Sequence, residues 1–269
     1  MSVVDAQQLR AKVKEMYKSV AEQPHGTFHF EMGRELALRL GYPAAQLDRV
    51  PSEAIESFAG VGYHLGLAAL APGDRVLDMG SGSGMDAFLA SLAVSPGGQV
   101  IGIDMTGEQL AKARSLAADK GFLDVRFEKG YIEDVPTETG SVDVVISNGV
   151  INLCADKQAV LTEIARVLKP GGRMAISDIV TEKQLTEAIT CDVNLWASCI
   201  GGAMQQDDYQ TGIEDAGLKV SQWQENPQYG FISGSAQSAT NTFGVKSVSI
   251  LAVKASSFPR PREKLTSPG

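Results

Sequence analysis

The sequence has few of the residues that move protons and bind metals. Histidine occurs only at 25, 29 and 64, and cysteine only at 154, 191 and 199. Three cysteines leave one over in any disulfide scheme, and their spacing fits no structural zinc motif. The expectation is free thiols in a reducing, cytoplasmic setting. No apolar run approaches the roughly 20 residues needed to span a bilayer. The opening MSVVDAQQLR carries an early acid and lacks the apolar core of a secretory signal. Positive charge is also scarce: 24 Lys and Arg against 32 Asp and Glu give a net charge of −8. Nucleic acid and anionic membranes are therefore poor partners. There is no internal repeat. What remains is 269 residues with 43% hydrophobic content, enough for one large domain with additions.

The most informative stretch is Arg75 to Asp104, RVLDMGSGSGMDAFLASLAVSPGGQVIGID. Val76 to Met79 reads as a short apolar strand, and Gly80, Gly82 and Gly84 as a turn. Met85, Phe88, Leu89 and Leu92 recur with helical period. Val100 to Ile103 is a second strand, closed by Asp104. This is the plan of a nucleotide-binding βαβ unit. A dinucleotide fingerprint requires a third glycine where Met85 stands, and Asp78 beside the turn would repel a pyrophosphate. An acid there suits a ligand carrying an ammonium or sulfonium. Asp104 is placed to accept from ribose hydroxyls. S-adenosylmethionine (AdoMet) combines those features, with S-adenosylhomocysteine as its demethylated product.

Helical patterns precede this unit at residues 5 to 22, Met32 to Leu40 and Ser52 to Phe58, with Ser52 as a possible N-cap. Residues 1–70 are expected to form a helical N-terminal cap, with Tyr17, His29 and Tyr63 as its polar-tipped side chains. His29 and Tyr17 are the candidates for a catalytic role. Strands and helices then alternate: Glu108 to Lys120, Val125 to Phe127, Val142 to Ser147, a helix N-capped by Asp156, and Arg173 to Ile179 after the stop Lys169-Pro170-Gly171-Gly172. The expected fold class is α/β, a doubly wound Rossmann-like sheet, mostly parallel, over residues 71–255. Val220 to Glu225 and Ser247 to Val253 should add an antiparallel edge. Thr186 to about Gly202 has helical spacing. Gly230 to Gly244 reads as a mobile loop, and 256–269 as a disordered tail.

Ligands of such sheets sit outside the carboxyl ends of the strands. Asp78, Asp104 with Met105, the turn holding Ile132 and Glu133, and Asn148 all fall at those ends. With Gly80, Gly82 and Gly84 they form the expected cofactor set.

VLDMGSGSG, Asp104 and VLKPGGRMAISD resemble the motifs of class I AdoMet-dependent methyltransferases. More narrowly, IDMTGEQLAKAR, ISNGVINL, DKQAVLTEIARVLKPGGRMAISDIV and LWASCIGGA look like the arsenite methyltransferase branch, a neighbour of the quinone-methylating enzymes. That resemblance implies As(III) bound by cysteines, one on the loop after the fourth strand and one in the later C-I-x-G-A segment. Cys199 matches the second. Gly149 stands at the first position, with Cys154 five residues further along the same loop. As(III) prefers soft thiolates, and one cysteine is a weak site.

The implied activity is methyl transfer to a small-molecule acceptor, at an acceptor site altered from that of the arsenite enzymes. Gly149, Cys154, Trp196 and Cys199 are the candidate acceptor residues. Two alternatives stay open. One is arsenite methylation through Cys199 with Cys154 or Cys191. The other is a non-catalytic AdoMet- or metalloid-binding protein.

Overall fold

The computed structural model describes residues 5–190, 196, 200–232 and 234–256. Cys191 and Cys199, and the tail beyond Ser256, lie outside the described residues.

The N-terminal region is helical. α1 (Ala6–Glu22) is N-capped by Asp5, whose carboxylate accepts from the amides of Gln7 and Gln8. α2 (Arg34–Leu40) ends on Gly41 in the left-handed conformation. α3 (Ala44–Leu47), α4 (Ser52–Glu56) and α5 (Leu65–Ala68) are single turns that the sequence pattern only partly marks. Pro51 occupies the cap position of α4, so Ser52 is its first helical residue rather than its cap.

The core is one sheet in the order β3-β2-β1-β4-β5-β8-β7, with the short β6 (Met204–Gln205) paired to β5. β1 (Arg75–Met79), β2 (Gln99–Asp104), β3 (Val125–Lys129), β4 (Val142–Asn148) and β5 (Leu168–Thr181) run parallel. On the β5 side, β8 (Lys246–Lys254) runs antiparallel to β5, and β7 (Leu218–Glu225) pairs antiparallel with β8 at the edge. α6 (Met85–Val94), α7 (Gly107–Lys120) and α8 (Lys157–Val167) are the crossovers. Alternate strand residues feed two apolar layers, as the two-residue period requires. Val76, Val100 and Val144 pack with Phe88, Leu110 and the cap residues Leu36 and Leu40. Leu77, Ile101 and Val145 pack with Val160, Ile164, Tyr209 and Ile213 on the other face.

Two further local expectations are corrected. Residues 230–244 contain a helix, Gly234–Phe243, because Ala239, Phe231 and Phe243 join the apolar cluster under α1. β5 starts at Leu168 rather than Arg173: Leu168 pairs with Val142, and a register shift carries the strand across Pro170 and the glycines. Of the long helix expected from Thr186, the described part is Glu187–Thr190 and Trp196. No helix of the described residues is long and apolar enough to cross a membrane.

Candidate functional site

The carboxyl ends of β1, β2 and β4 meet the cap around a cavity of about 320 Å³. Its floor is the glycine turn. Gly80 and Gly82 adopt φ of +78° and +53°, which favours glycine, and a Cβ on Gly80 would meet Val150 at 2.5 Å. The amides of Gly80 and Ser81 donate to the Ile103 carbonyl at 2.8 and 2.9 Å, tying β1's exit to β2. Gly82 N donates to Asp104 Oδ2 at 2.9 Å, and Thr106 N to Asp104 Oδ1 at 2.8 Å.

Three carboxylates gather on this floor: Asp78, Asp86 and Asp104. Asp78 is 3% exposed. Burial, with Asp86 and Asp104 nearby, pushes its pKa well above the usual carboxylate range. Burial also raises Asp104, against the backbone N–H groups that hold it down. Asp86 is fixed by its neighbours: Tyr42 Oη donates to Oδ1 at 2.7 Å and Asn148 Nδ2 to Oδ2 at 3.2 Å. Asn148 also accepts from Val61 N at 2.8 Å and donates to Gly62 O at 3.0 Å, joining the end of β4 to the cap. Asp78 Oδ2, Ser81 Oγ and Thr106 Oγ1 are buried with no hydrogen-bond partner in the structure, and all three residues line the cavity. Buried polar groups are ordinarily satisfied. Here the unfilled valences face a ligand space of negative potential.

The cap supplies the opposite wall through Ala6, Leu9, Val13 and Tyr17 of α1. Gln109 Nε2 donates to Tyr17 O at 2.8 Å and Ser57 Oγ to Val20 O at 3.2 Å, holding α1 over the floor. At the rim, Arg10 pairs with Glu133 at 3.0 Å and lies 4.5 Å over the Tyr131 ring.

Beyond Asn148 the wall is Val150, Leu153, Cys154, Ala155 and Asp156. Burial and the neighbouring Glu133 push the Cys154 thiol up to about 12, so it stands as a neutral thiol at physiological pH. Behind it, burial lowers Lys157 to about 8, and its Nζ donates to Cys154 O at 2.8 Å. Asp178, fully buried, is pushed up to about 6 and accepts from Tyr209 Oη at 2.9 Å. Among the described residues no group of three His, Cys, Asp or Glu side chains forms a metal-binding set.

The cavity gathers Tyr17, Asp78, Gly80, Gly82, Asp104, Met105, Ile132, Glu133, Asn148 and Cys154. Other expected residues lie elsewhere. Gly84 caps α6 at φ +95°, and a Cβ there would come within 2.7 Å of Phe127, so its role is to let the helix pack. His29 packs edge-on against Phe30 at 4.8 Å, outside the cavity lining. Gly149 is buried against Val61 at φ +71°. Trp196 is buried behind Lys157 rather than on the cavity wall. Tyr63 packs on Tyr42 at 4.6 Å, and His64 is fully buried with its ring nitrogens unpartnered. Sequence reasoning missed Asp86, Arg10 and the hydroxyls of Ser81 and Thr106.

The residues fit AdoMet on structural grounds: glycines open the floor, unpartnered buried oxygens face a cationic ligand, and Asp104 retains lone pairs for hydroxyls beyond its two backbone bonds. A methyltransferase domain model matches residues 70–217. The chain is 42% identical over 182 residues to an arsenite methyltransferase of Halobacterium salinarum, covering 68% of this chain and 46% of that protein. It is 42% identical over 144 residues to the human arsenite methyltransferase, covering 48% of this chain and 37% of that protein. The chain thus spans about half or less of these relatives' length. Among solved structures, an arsenic(III) S-adenosylmethionine methyltransferase from Chlamydomonas reinhardtii superposes with a TM-score of 0.66 at 33% identity, covering 78% of this chain and 72% of that one. The protein belongs to the class I AdoMet-dependent methyltransferase family, in its arsenite methyltransferase branch.

Proposed function

We propose that the protein transfers a methyl group from AdoMet to a small, soft acceptor atom, at an acceptor site altered from that of the arsenite enzymes it resembles. The observation that carries this reading is the unpartnered, buried Asp78 oxygen beside Asp86 and Asp104, at the foot of a cavity whose far wall bears Cys154.

Asp104 would hold the ribose hydroxyls, Ile132 and Glu133 the adenine end, and Asp78 with Asp86 the cationic end. When bound, AdoMet supplies a methyl carbon made electrophilic by the sulfonium. The chain's own task is to orient the acceptor in line with that carbon and exclude water. Leu9, Val13 and Leu153 do so by walling the cavity with apolar surface. Among the described residues the cavity lining holds no histidine, and Cys154 stays protonated, so neither an imidazole nor a thiolate is at hand to deprotonate an acceptor. A soft lone pair on arsenic, sulfur or selenium needs no such base.

Arsenite itself is the second reading, favoured by the named relatives and by a thiol on the wall. Release of S-adenosylhomocysteine with arsenite plus excess monothiol, against a panel of thiols, phenols and quinols, tests both. Turnover with the soft acceptors and none with the phenols is expected. A phenol or quinol as best acceptor overturns the soft-acceptor reading. Tight AdoMet binding without turnover of any acceptor overturns the enzyme reading in favour of a binding protein.

A further inference from the structure

Lys157 is the most constrained charged side chain near the acceptor wall, yet it does not line the cavity. It is 7% exposed at the start of α8. Its ammonium donates to Cys154 O at 2.8 Å and sits 4.4 Å over the ring of Trp196. Trp196 is itself 6% exposed and donates from Nε1 to Thr190 O at 2.6 Å. Gly201 and Gly202 press on the same ring, and a Cβ on Gly202 would overlap the Asn152 carbonyl. Residues 151–156 and, far away in sequence, Thr190, Trp196, Gly201 and Gly202 therefore meet around one buried ammonium.

An ammonium is costly to bury unless its donors and charge are engaged. This one is engaged by a carbonyl and an aromatic face, with Asp178 as the nearby compensating charge. Methionine could fill the volume but would leave the Cys154 carbonyl unmatched and remove the cation from the ring.

We infer that Lys157 is a positioning residue for the acceptor: it pins the Cys154 loop to Trp196, against which Gly201 and Gly202 lie, and so sets the acceptor wall without touching the acceptor. The inference rests on the acceptor side assigned above. The cofactor floor at Asp78, Asp86 and Asp104 belongs to other elements and is independent of the pin.

The test compares the full-length protein with Lys157→Met and with Trp196→Phe, which keeps an aromatic face. Two measurements are made: steady-state methylation of arsenite with excess monothiol, and hydrogen exchange in the AdoMet complex. Lys157→Met is expected to raise the acceptor KM at least tenfold while AdoMet affinity changes less than twofold. Amide exchange should rise together in 151–156 and in 200–203, with Trp196→Phe giving a smaller change of the same pattern. Equal losses of AdoMet affinity and acceptor KM, or faster exchange in only one of the two segments, overturn the pin. If the unmodified protein does not turn over arsenite, that acceptor reading fails, and the paired exchange pattern still decides the pin.

Discussion

Asp104 Oδ2 accepts a 2.9 Å hydrogen bond from the amide of Gly82, so the glycine turn and the acid ending β2 move as one unit. The second oxygen is held by Thr106 N at 2.8 Å, which aims the remaining lone pairs at the cavity. Replacing Asp104 with alanine removes charge-assisted bonds worth about 1.5–3 kcal/mol each. AdoMet affinity should fall on the order of 10- to 100-fold, measured by calorimetry. Unchanged affinity would place the ribose elsewhere.

Asp78 leads to a prediction with two opposite signs. Its folded pKa is raised by burial first, then by Asp86 and Asp104. A carboxyl raised in the folded state contributes stability at low pH that is lost as pH rises above its unfolded value, about 3.9. The unliganded protein therefore carries this strain at neutral pH, and Asp78→Asn should raise its melting temperature. The same substitution should weaken AdoMet binding. In the native protein, binding a cation draws the proton off Asp78, so affinity should increase as pH rises above the ordinary carboxylate range. Calorimetry in buffers of differing ionisation enthalpy should register proton release. A variant that is destabilised without ligand would refute this account.

Gly149 stands where the resemblance to the arsenite enzymes implies a cysteine, yet its backbone is left-handed at φ +71° and a Cβ would stand 3.1 Å from Val61 Cγ1. Introducing a thiol as Gly149→Cys should cost about 1–2 kcal/mol in backbone strain. That corresponds to a melting temperature lower by roughly 2–8 °C for a chain of this size. Gly149→Ala should show the same loss, assigning it to backbone rather than to sulfur. A cysteine variant as stable as the parent would mean that this loop readily adopts another conformation.

Cys154 should be slow to alkylate. With its thiol pushed up to about 12, the thiolate fraction at pH 8 is about 10⁻⁴. Iodoacetamide at that pH, followed by peptide mapping, should leave Cys154 unmodified in the folded protein and modify it on unfolding. Rapid native modification would put the thiol in a more open, cationic setting than the one between Glu133 and Leu153.

Asp78, Asp104 and Asn148 were legible because a parallel sheet places its strand ends on one rim, and each terminates a short apolar run. Asp86 was not. An acid in a helix's first turn is ordinarily a solvated complement to the helix dipole, and only the fold turns this one inward, under Tyr42 and Asn148. Leu9, Val13 and Tyr17 were visible as a stripe, but a stripe facing a cavity and a stripe facing a core have the same period. The helix over Gly234–Phe243 is built from Ser, Thr and Asn, residues of weak helical propensity, and forms because Ala239 and Phe243 find a buried surface. Lys157 carried no signal, since its partners Cys154 and Trp196 are joined only by tertiary packing.

The helix that walls the cavity has a consequence for how occupancy can be read from outside. The 17-residue α1 draws most of its stability from packing its apolar face rather than from helical propensity. Its order depends on the surface beneath it, and part of that surface is ligand space. Each ligand that fills the space adds to what keeps the N-terminal segment closed. The rate at which a protease cuts within residues 6–22 is thus a clock that slows in proportion to cavity filling, needing neither a labelled ligand nor a known acceptor.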